Sequence, residues 1–247
     1  MRYLILSDIH SNWEALQAVL EEADRDGYDR IVCCGDLVGY GADPNAVTDW
    51  ARQSHAATIR GNHDKACVGL VDLEWFNPAA QKSTMWTQSV LSEENHEYLA
   101  RLPMGPMALG GFEVVHGSPG DEDEYVVSAS EAAMCESSLM SPVTFFGHTH
   151  IQGGFQFIQR AVIGMGATPA KQDRLETRLQ DDAWYLVNPG SVGQPRDHDS
   201  RAAWALFIPE DRLLVYRRCK YDVETAAKKI VAAKLPDILA RRLSQGR

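Results

Sequence analysis

The amino-acid sequence predicts an α/β fold built on parallel strands. Near its N-terminus, three short β-rich apolar runs alternate with two helical segments, the order that parallel strands with right-handed crossovers require. Each run stops abruptly at Gly, Asp, Asn or His, and two later runs stop in the same way. Five strand ends therefore carry side chains able to bind metal, and in open α/β folds that edge of the sheet is where ligands sit.

The first run, Tyr3-Leu4-Ile5-Leu6-Ser7, leads into Asp8-Ile9-His10. Ser11 or Asn12 can cap a helix in which Leu16, Val19, Leu20 and Ala23 share one face, and Gly27 can end it. Ile31-Val32-Cys33-Cys34 is the second run and leads into Gly35-Asp36. Asp43 and Pro44 then stand as N-cap and first residue of a second helix. The third run, Ala57-Thr58-Ile59-Arg60, leads into Gly61-Asn62-His63-Asp64. Residues 65–102 read as helical, with starts at Asn77-Pro78 and Ser92, and are placed to wall the site. Within them Trp75, Phe76 and Trp86 either line a pocket or pack the helices together.

Gly110-Gly111 marks a hairpin turn between Met107-Ala108-Leu109 and Phe112-Glu113-Val114-Val115, the fourth run, which leads into His116-Gly117. The acidic stretch Asp121 to Glu124 reads as a solvated turn. Ser130 to Met140 suits a crossover helix, and the fifth run, Val143-Thr144-Phe145-Phe146, leads into Gly147-His148-Thr149-His150. Further strands are expected over 155–159, 184–187, 202–208 and 212–217, the last two forming a hairpin around Pro209-Glu210-Asp211. Residues 164–182 show no clear period and read as a mobile loop. Two helices split at Pro236 close the chain, with their Lys and Arg residues on a solvated face. With no repeat or linker, one domain over 1–247 is expected.

Composition narrows the function classes. The formal net charge of -10 argues against a long nucleic acid as partner, because phosphate-backbone binding rests on Lys and Arg. A bound metal can still dominate the field locally and attract one phosphate. No apolar stretch is long enough for a membrane span, and no signal-peptide pattern opens the sequence, so a cytoplasmic protein without a membrane partner is expected. Five cysteines without a CxxC pair suggest neither a disulfide framework nor a structural zinc site. Cys33 and Cys34 read as strand packing, and Cys67 as packing beside the third motif.

Taken singly, Asp8-Ile9-His10, Gly35-Asp36 and His116 are weak signals, since Asp serves turns and a lone His is usually a satisfied polar residue. Gly61-Asn62-His63-Asp64 and Gly147-His148-Thr149-His150 are more specific, and the ordered set makes coincidence implausible. From Asp8 to His150 the chain resembles the calcineurin-like metallophosphoesterase superfamily, whose pattern is Asp-x-His, Gly-Asp, Gly-Asn-His-Asp/Glu, His and Gly-His-x-His. The turn Asn188 to Arg196 and the run Gly35 to Gly41 resemble its compact bacterial branch. The resemblance implies a β-sandwich flanked by helices, with metals at the strand C-terminal ends.

It also implies a ligand set. Asp8, His10, Asp36 and His150 would hold one divalent ion, and Asp36, Asn62, His116 and His148 a second, with Asp36 bridging. Imidazole with carboxylate and amide oxygen suits Mn, Fe, Zn, Co or Ni better than Mg or Ca. Such a pair supports in-line attack on phosphorus by a metal-bridging hydroxide. By the same resemblance His63 would be the general acid to the leaving group, the alternative being a hydrogen bond within its loop, and the neighbouring Asp64 carboxylate could hold His63 in the right tautomer. The Gly-Asp-x-x-Asp-Arg-Gly of the superfamily's protein Ser/Thr phosphatases is absent, because Gly39 and Tyr40 stand where its Asp and Arg would be. Arg196 could supply the missing phosphate-binding cation from the later turn, or pair with Asp197 at the surface; Tyr40 is the other candidate substrate-binding residue, and Arg60 could simply end its strand. The expected activity is hydrolysis of a small phosphate mono- or diester. A nucleotide polyphosphate phosphatase, a phosphoprotein phosphatase, and a non-catalytic nucleotide sensor or protein-binding scaffold are the alternatives.

Overall fold

The computed structural model describes every residue, Met1–Arg247, as two six-stranded mixed sheets packed face to face and flanked by helices. Strand β1 (Tyr3–Leu6), helix α1 (Trp13–Asp26), β2 (Arg30–Cys33), α2 (Pro44–Gln53) and β3 (Ala57–Thr58) follow the predicted order, and the three strands are parallel. Asn12 makes the α1 cap, accepting from the Ala15 N–H, and Gly27 ends the helix at positive φ. Next come α3 (Asn62–Cys67), α4 (Pro78–Val90) and α5 (Glu93–Ala100), with Asn77 and Ser92 as caps. The helical segment is therefore broken over 68–77, where the chain turns without a helix.

Hairpin β4 (Met107–Leu109) and β5 (Phe112–Val114) opens the second sheet, followed by α6 (Ala129–Cys135) and β6 (Val143–Phe145). Strands β7 (Gly153–Ile158), β8 (Ala161–Met165), β9 (Arg174–Arg178), β10 (Trp184–Asn188), β11 (Ala202–Ile208) and β12 (Leu213–Cys219) follow, then α7 (Val223–Ala232) and α8 (Asp237–Leu243). The segment 164–182, read from sequence as a loop, thus holds the end of β8 and all of β9, an edge strand antiparallel to β12.

The sheets run β3-β2-β1-β11-β12-β9 and β4-β5-β6-β10-β7-β8. The five ligand-bearing runs do not share one sheet. β1, β2 and β3 belong to the first, β5 and β6 to the second. Alternation along β1 explains how both faces are filled: Tyr3 and Ile5 point between the sheets, Leu4 and Leu6 toward α1 and α2. Val32 and Cys34 likewise join the inter-sheet core with Phe112, Val114, Phe145 and Tyr216, while Cys33 joins the helix-facing one. α6 covers the outer face of the second sheet through Ala132 and Cys135. All five cysteines are free and buried, Cys67 in the helix-facing core. No helix is long and apolar enough to cross a membrane.

Candidate metal centre

The parallel strands of both sheets end at one edge of the sandwich, and the loops that leave them converge there. Thirteen non-glycine residues have positive φ, and Asp8, His10, Asp36, His148 and His150 are among them. Such backbone costs of order 1–3 kcal/mol per residue and persists where surroundings over-determine it, as at functional sites.

Asp8, His10, Asp36 and His150 form one buried group, and Asp36, His116 and His148 another, the ligand atoms of each lying within 4.8 Å of one another. Asp36 belongs to both. Its Oδ2 lies 3.5 Å from His10 Nε2 and 3.4 Å from His116 Nε2, is buried, and has no hydrogen-bond partner. Asn62 Oδ1 adds to the second group at 3.2 Å from His116 Nε2.

The four imidazoles are all oriented by backbone carbonyls. A carbonyl only accepts, so the ring nitrogen facing it carries the hydrogen, and in a neutral ring the other is a bare lone pair. His10 Nδ1 donates to Val38 O at 3.0 Å, His116 Nδ1 to Cys34 O at 2.8 Å, and His150 Nδ1 to Gln194 O at 2.6 Å. His148 is turned the other way, with Nε2 donating to Asp123 O at 3.1 Å, which leaves Nδ1 free. His10 Nε2 and His150 Nε2 then face each other at 3.0 Å, lone pair to lone pair. Cations at the two groups would relieve that repulsion and satisfy Asp36 Oδ2, so the residues fit divalent metal.

Protonation supports the same fit. Burial holds His10 and His150 well below the ordinary imidazole range and pushes His148 down to about 3. Burial pushes the Asp36 carboxyl up, but His116, His63 and His10 together outweigh it and Asp36 lies well below the usual carboxylate range. Burial lowers His116 too, yet the Asp36 carboxylate raises it further, to about 10. Burial raises Asp8 to about 6. Three imidazoles are thus neutral, as metal binding requires, while His116 carries a proton against Asp36.

The turn after β10 braces this cluster. Asn188 Nδ2 donates to Gly147 O and Thr149 Oγ1, both at 2.9 Å, and Ser191 Oγ donates to Asp8 O at 2.8 Å. Gly61 packs so tightly on Asp36 that a Cβ there would overlap the carboxylate.

His63 lines a cleft of about 520 Å³ in front of the cluster, with Tyr40, Asn62, Lys65, Trp75, Phe76, Tyr125 and His148. Its ring packs on Tyr40 at 4.3 Å and edge-on to Phe76 at 5.1 Å, and burial pushes it down to about 4. Asp64 does not orient His63. Its carboxylate accepts from the N–H groups of Asp36 (2.8 Å), Gly61 (2.9 Å) and Val38 (3.1 Å), while His63 Nδ1 is buried without a partner. The reason is helical: consecutive residues of α3 point about 100° apart, so His63 faces the cleft and Asp64 the interior. Asp64 is a positioning residue for the Asp36 and Gly61 loops.

Of the aromatics, Trp75 and Phe76 line the cleft, whereas Trp86 packs against the C-terminal helices. Arg196 does not pair with Asp197, which is held by Arg218. Its guanidinium lies 5.7 Å from the Tyr40 ring centroid, and the Tyr40 ring lies 4.7 Å from His10. The acidic stretch is no free turn: Glu122 pairs with Arg60 and Lys65 at 2.9 Å, and Lys65 also reaches Asp123 at 2.6 Å. That strap fixes the carbonyl holding His148, a role no side-chain pattern announces.

The chain matches the model of the calcineurin-like phosphoesterase superfamily domain over residues 1–211. It is 34% identical over 248 aligned positions to an uncharacterised protein of Methanocaldococcus jannaschii, covering 98% of this chain and 97% of that one. A crystal structure of a metallophosphoesterase from Sphaerobacter thermophilus is 35% identical, with a TM-score of 0.85 over 100% of this chain and 99% of that chain. A hypothetical protein from Pyrococcus horikoshii has the same fold at 21% identity, with a TM-score of 0.78 over 100% and 98% of the two chains.

Proposed function

The chain belongs to the calcineurin-like phosphoesterase superfamily, and from that premise we propose that it is a dinuclear metal-dependent phosphoesterase acting on a phosphate mono- or diester. The observation that carries this reading is Asp36, whose bare Oδ2 is shared by two buried ligand groups. In this reading Asp8, His10, Asp36 and His150 hold one ion and Asp36, Asn62, His116 and His148 the other, with Mn, Fe, Zn, Co or Ni as suitable metals. Two such ions supply a clamp on the phosphate oxygens and a nucleophile from water at neutral pH.

The chain's own residues do the rest. The neutral His63 imidazole stands at the cleft wall, and an incoming phosphate raises its affinity for a proton. Protonated, it donates to the leaving-group oxygen. Tyr40 and Arg196 bind the substrate from the flank beside His10. We place the protein in the cytoplasm, where five unpaired cysteines stay reduced.

The test is hydrolysis of p-nitrophenyl phosphate and bis-p-nitrophenyl phosphate by metal-stripped protein, with and without added Mn. Release that depends on Mn and disappears in Asp36→Asn supports the reading, and the ratio of the two rates separates monoesterase from diesterase. No release of either ester with two metals bound would refute it in favour of a sensor or scaffold.

A further inference from the structure

Among the buried and half-buried lysines and arginines, only Arg196 and Arg242 lack a carboxylate partner. The two stand together. Arg196 Nη2 and Arg242 Nη1 donate to the same atom, Gln194 Oε1, at 3.2 and 3.3 Å. Each Nε is buried and without a hydrogen-bond partner. Two guanidinium groups thus share one neutral oxygen, and most of their N–H groups are unspent. The acids nearest Arg196 in sequence are already engaged, Asp197 by Arg218 and Asp199 by Arg201. Like charges held side by side in partly buried positions cost free energy unless an anion completes them. Arg242 feels this directly: burial and then Arg196 lower its affinity for its proton.

The pair is tied to the metal cluster through one residue. Gln194 accepts the Arg196 and Arg242 bonds on its side chain and the His150 Nδ1 bond on its backbone carbonyl. The Tyr40 ring lies 5.7 Å from the Arg196 guanidinium and 4.7 Å from the His10 ring. Tyr40, which also lines the cleft in front of the cluster, is thus a contact shared by Arg196 and the ligand His10. Planar guanidinium forks match the oxygens of a phosphate and can grip it bidentately. Arg242 comes from α8, beyond the residues 1–211 matched by the superfamily model.

We infer that Arg196 and Arg242 form an anion subsite for a second phosphate adjacent to the one at the metal centre. The substrate class is then a compound with two neighbouring phosphates, such as a nucleoside diphosphate, in which water would attack the terminal phosphorus, the phosphoanhydride bond would break and the nucleoside monophosphate would leave. The anion subsite stands on the arginine geometry alone; the substrate class rests on the phosphoesterase reading.

The first test is calorimetric titration of the metal-stripped full-length protein with sodium pyrophosphate at pH 7. One equivalent should bind, Arg242→Gln should weaken it at least tenfold, and Arg241→Gln should leave it within twofold. Arg241 is exposed on the same helix, so its loss changes the net charge equally. No uptake by the wild type, or equal weakening in both variants, overturns the subsite. Without metal there is no turnover, so this result is independent of the phosphoesterase assignment. The second test compares kcat/KM for ADP and AMP in Mn-loaded protein. The wild type should favour ADP, and Arg242→Gln should reduce that preference at least fivefold. Equal use of ADP and AMP by the wild type, or an equal loss on both in the variant, overturns the substrate class. Turnover of no ester at all refutes the phosphoesterase reading and leaves the calorimetric result standing.

Discussion

Replacing Asp64 tests whether this residue serves the backbone or the His63 ring. Three buried N–H groups, those of Asp36, Gly61 and Val38, end on its carboxylate. Asp64→Ala strands all three. At about 1 kcal/mol per stranded donor, the low end of the cost, the loss is about 3 kcal/mol. That is a large part of the roughly 5–15 kcal/mol that holds a folded protein together. Asp64→Asn is milder for a geometric reason. Oδ2 takes two of the bonds and Oδ1 one, so an amide oxygen placed at Oδ2 keeps two and forfeits only that of Val38. With a urea slope of about 3 kcal/mol per M, Asp64→Ala should lower the midpoint by about 1 M and Asp64→Asn by about a third of that. Metal affinity should fall alongside by about 10–100-fold in Asp64→Ala, since the freed N–H groups position Asp36 and the Asn62 loop. Urea unfolding of the metal-free protein, followed by circular dichroism, and metal content by mass spectrometry read both quantities. An unchanged midpoint in Asp64→Ala would refute the reasoning. So would Asp64→Asn keeping stability and metal but losing turnover, which would return Asp64 to the task of orienting His63.

His63→Ala should retain both metals and lose about 10²–10⁴-fold in rate on alkyl phosphates, with a smaller loss on p-nitrophenyl phosphate, whose leaving group needs little protonation; equal losses on both would remove its role as proton donor. Metal uptake should release a proton and strengthen with pH. His116, raised to about 10 against an ordinary 6.5, stabilises the metal-free fold fully below pH 6.5, and that contribution is lost as pH rises through about 10. Calorimetry of Mn binding in buffers of different ionisation enthalpy measures that proton, and none released at pH 7 would contradict the Asp36–His116 pair. Gly61→Ala should fold yet bind metal at least tenfold more weakly, because its new Cβ displaces the Asp36 carboxylate; wild-type metal content in that variant would show that the loop adjusts.

What could be read from sequence follows from how each residue's place is fixed. Asp8, Asp36, Asn62, His116, His148 and His150 each follow a strand, so an apolar run and the ligand after it announce them together. The hairpin of β11 and β12 and the caps at Asn12, Asn77 and Ser92 are equally local. Which sheet a strand joins is not local: a short apolar run reads alike in either, and β1 and β5 lie in opposite sheets although Tyr3 and Phe112 meet with ring centroids 4.8 Å apart. β8 and β9 are largely exposed edge strands without a buried apolar run, so their segment looked like a loop.

Adjacency in sequence misleads at His63 and Asp64. His63 and Asp64 are neighbours in a motif, and a carboxylate beside an imidazole suggests a tautomer-fixing pair. A helix turns neighbours apart, and the imidazoles of this centre are held instead by the carbonyls of Val38, Cys34, Asp123 and Gln194. A backbone carbonyl has no sequence signature, so any residue could occupy those positions. The same blindness hid Arg242, which meets Arg196 only because α8 returns to the turn after β10. The ligand set is therefore legible in the chain, while the groups that orient it, and those that flank it, are legible only in the fold.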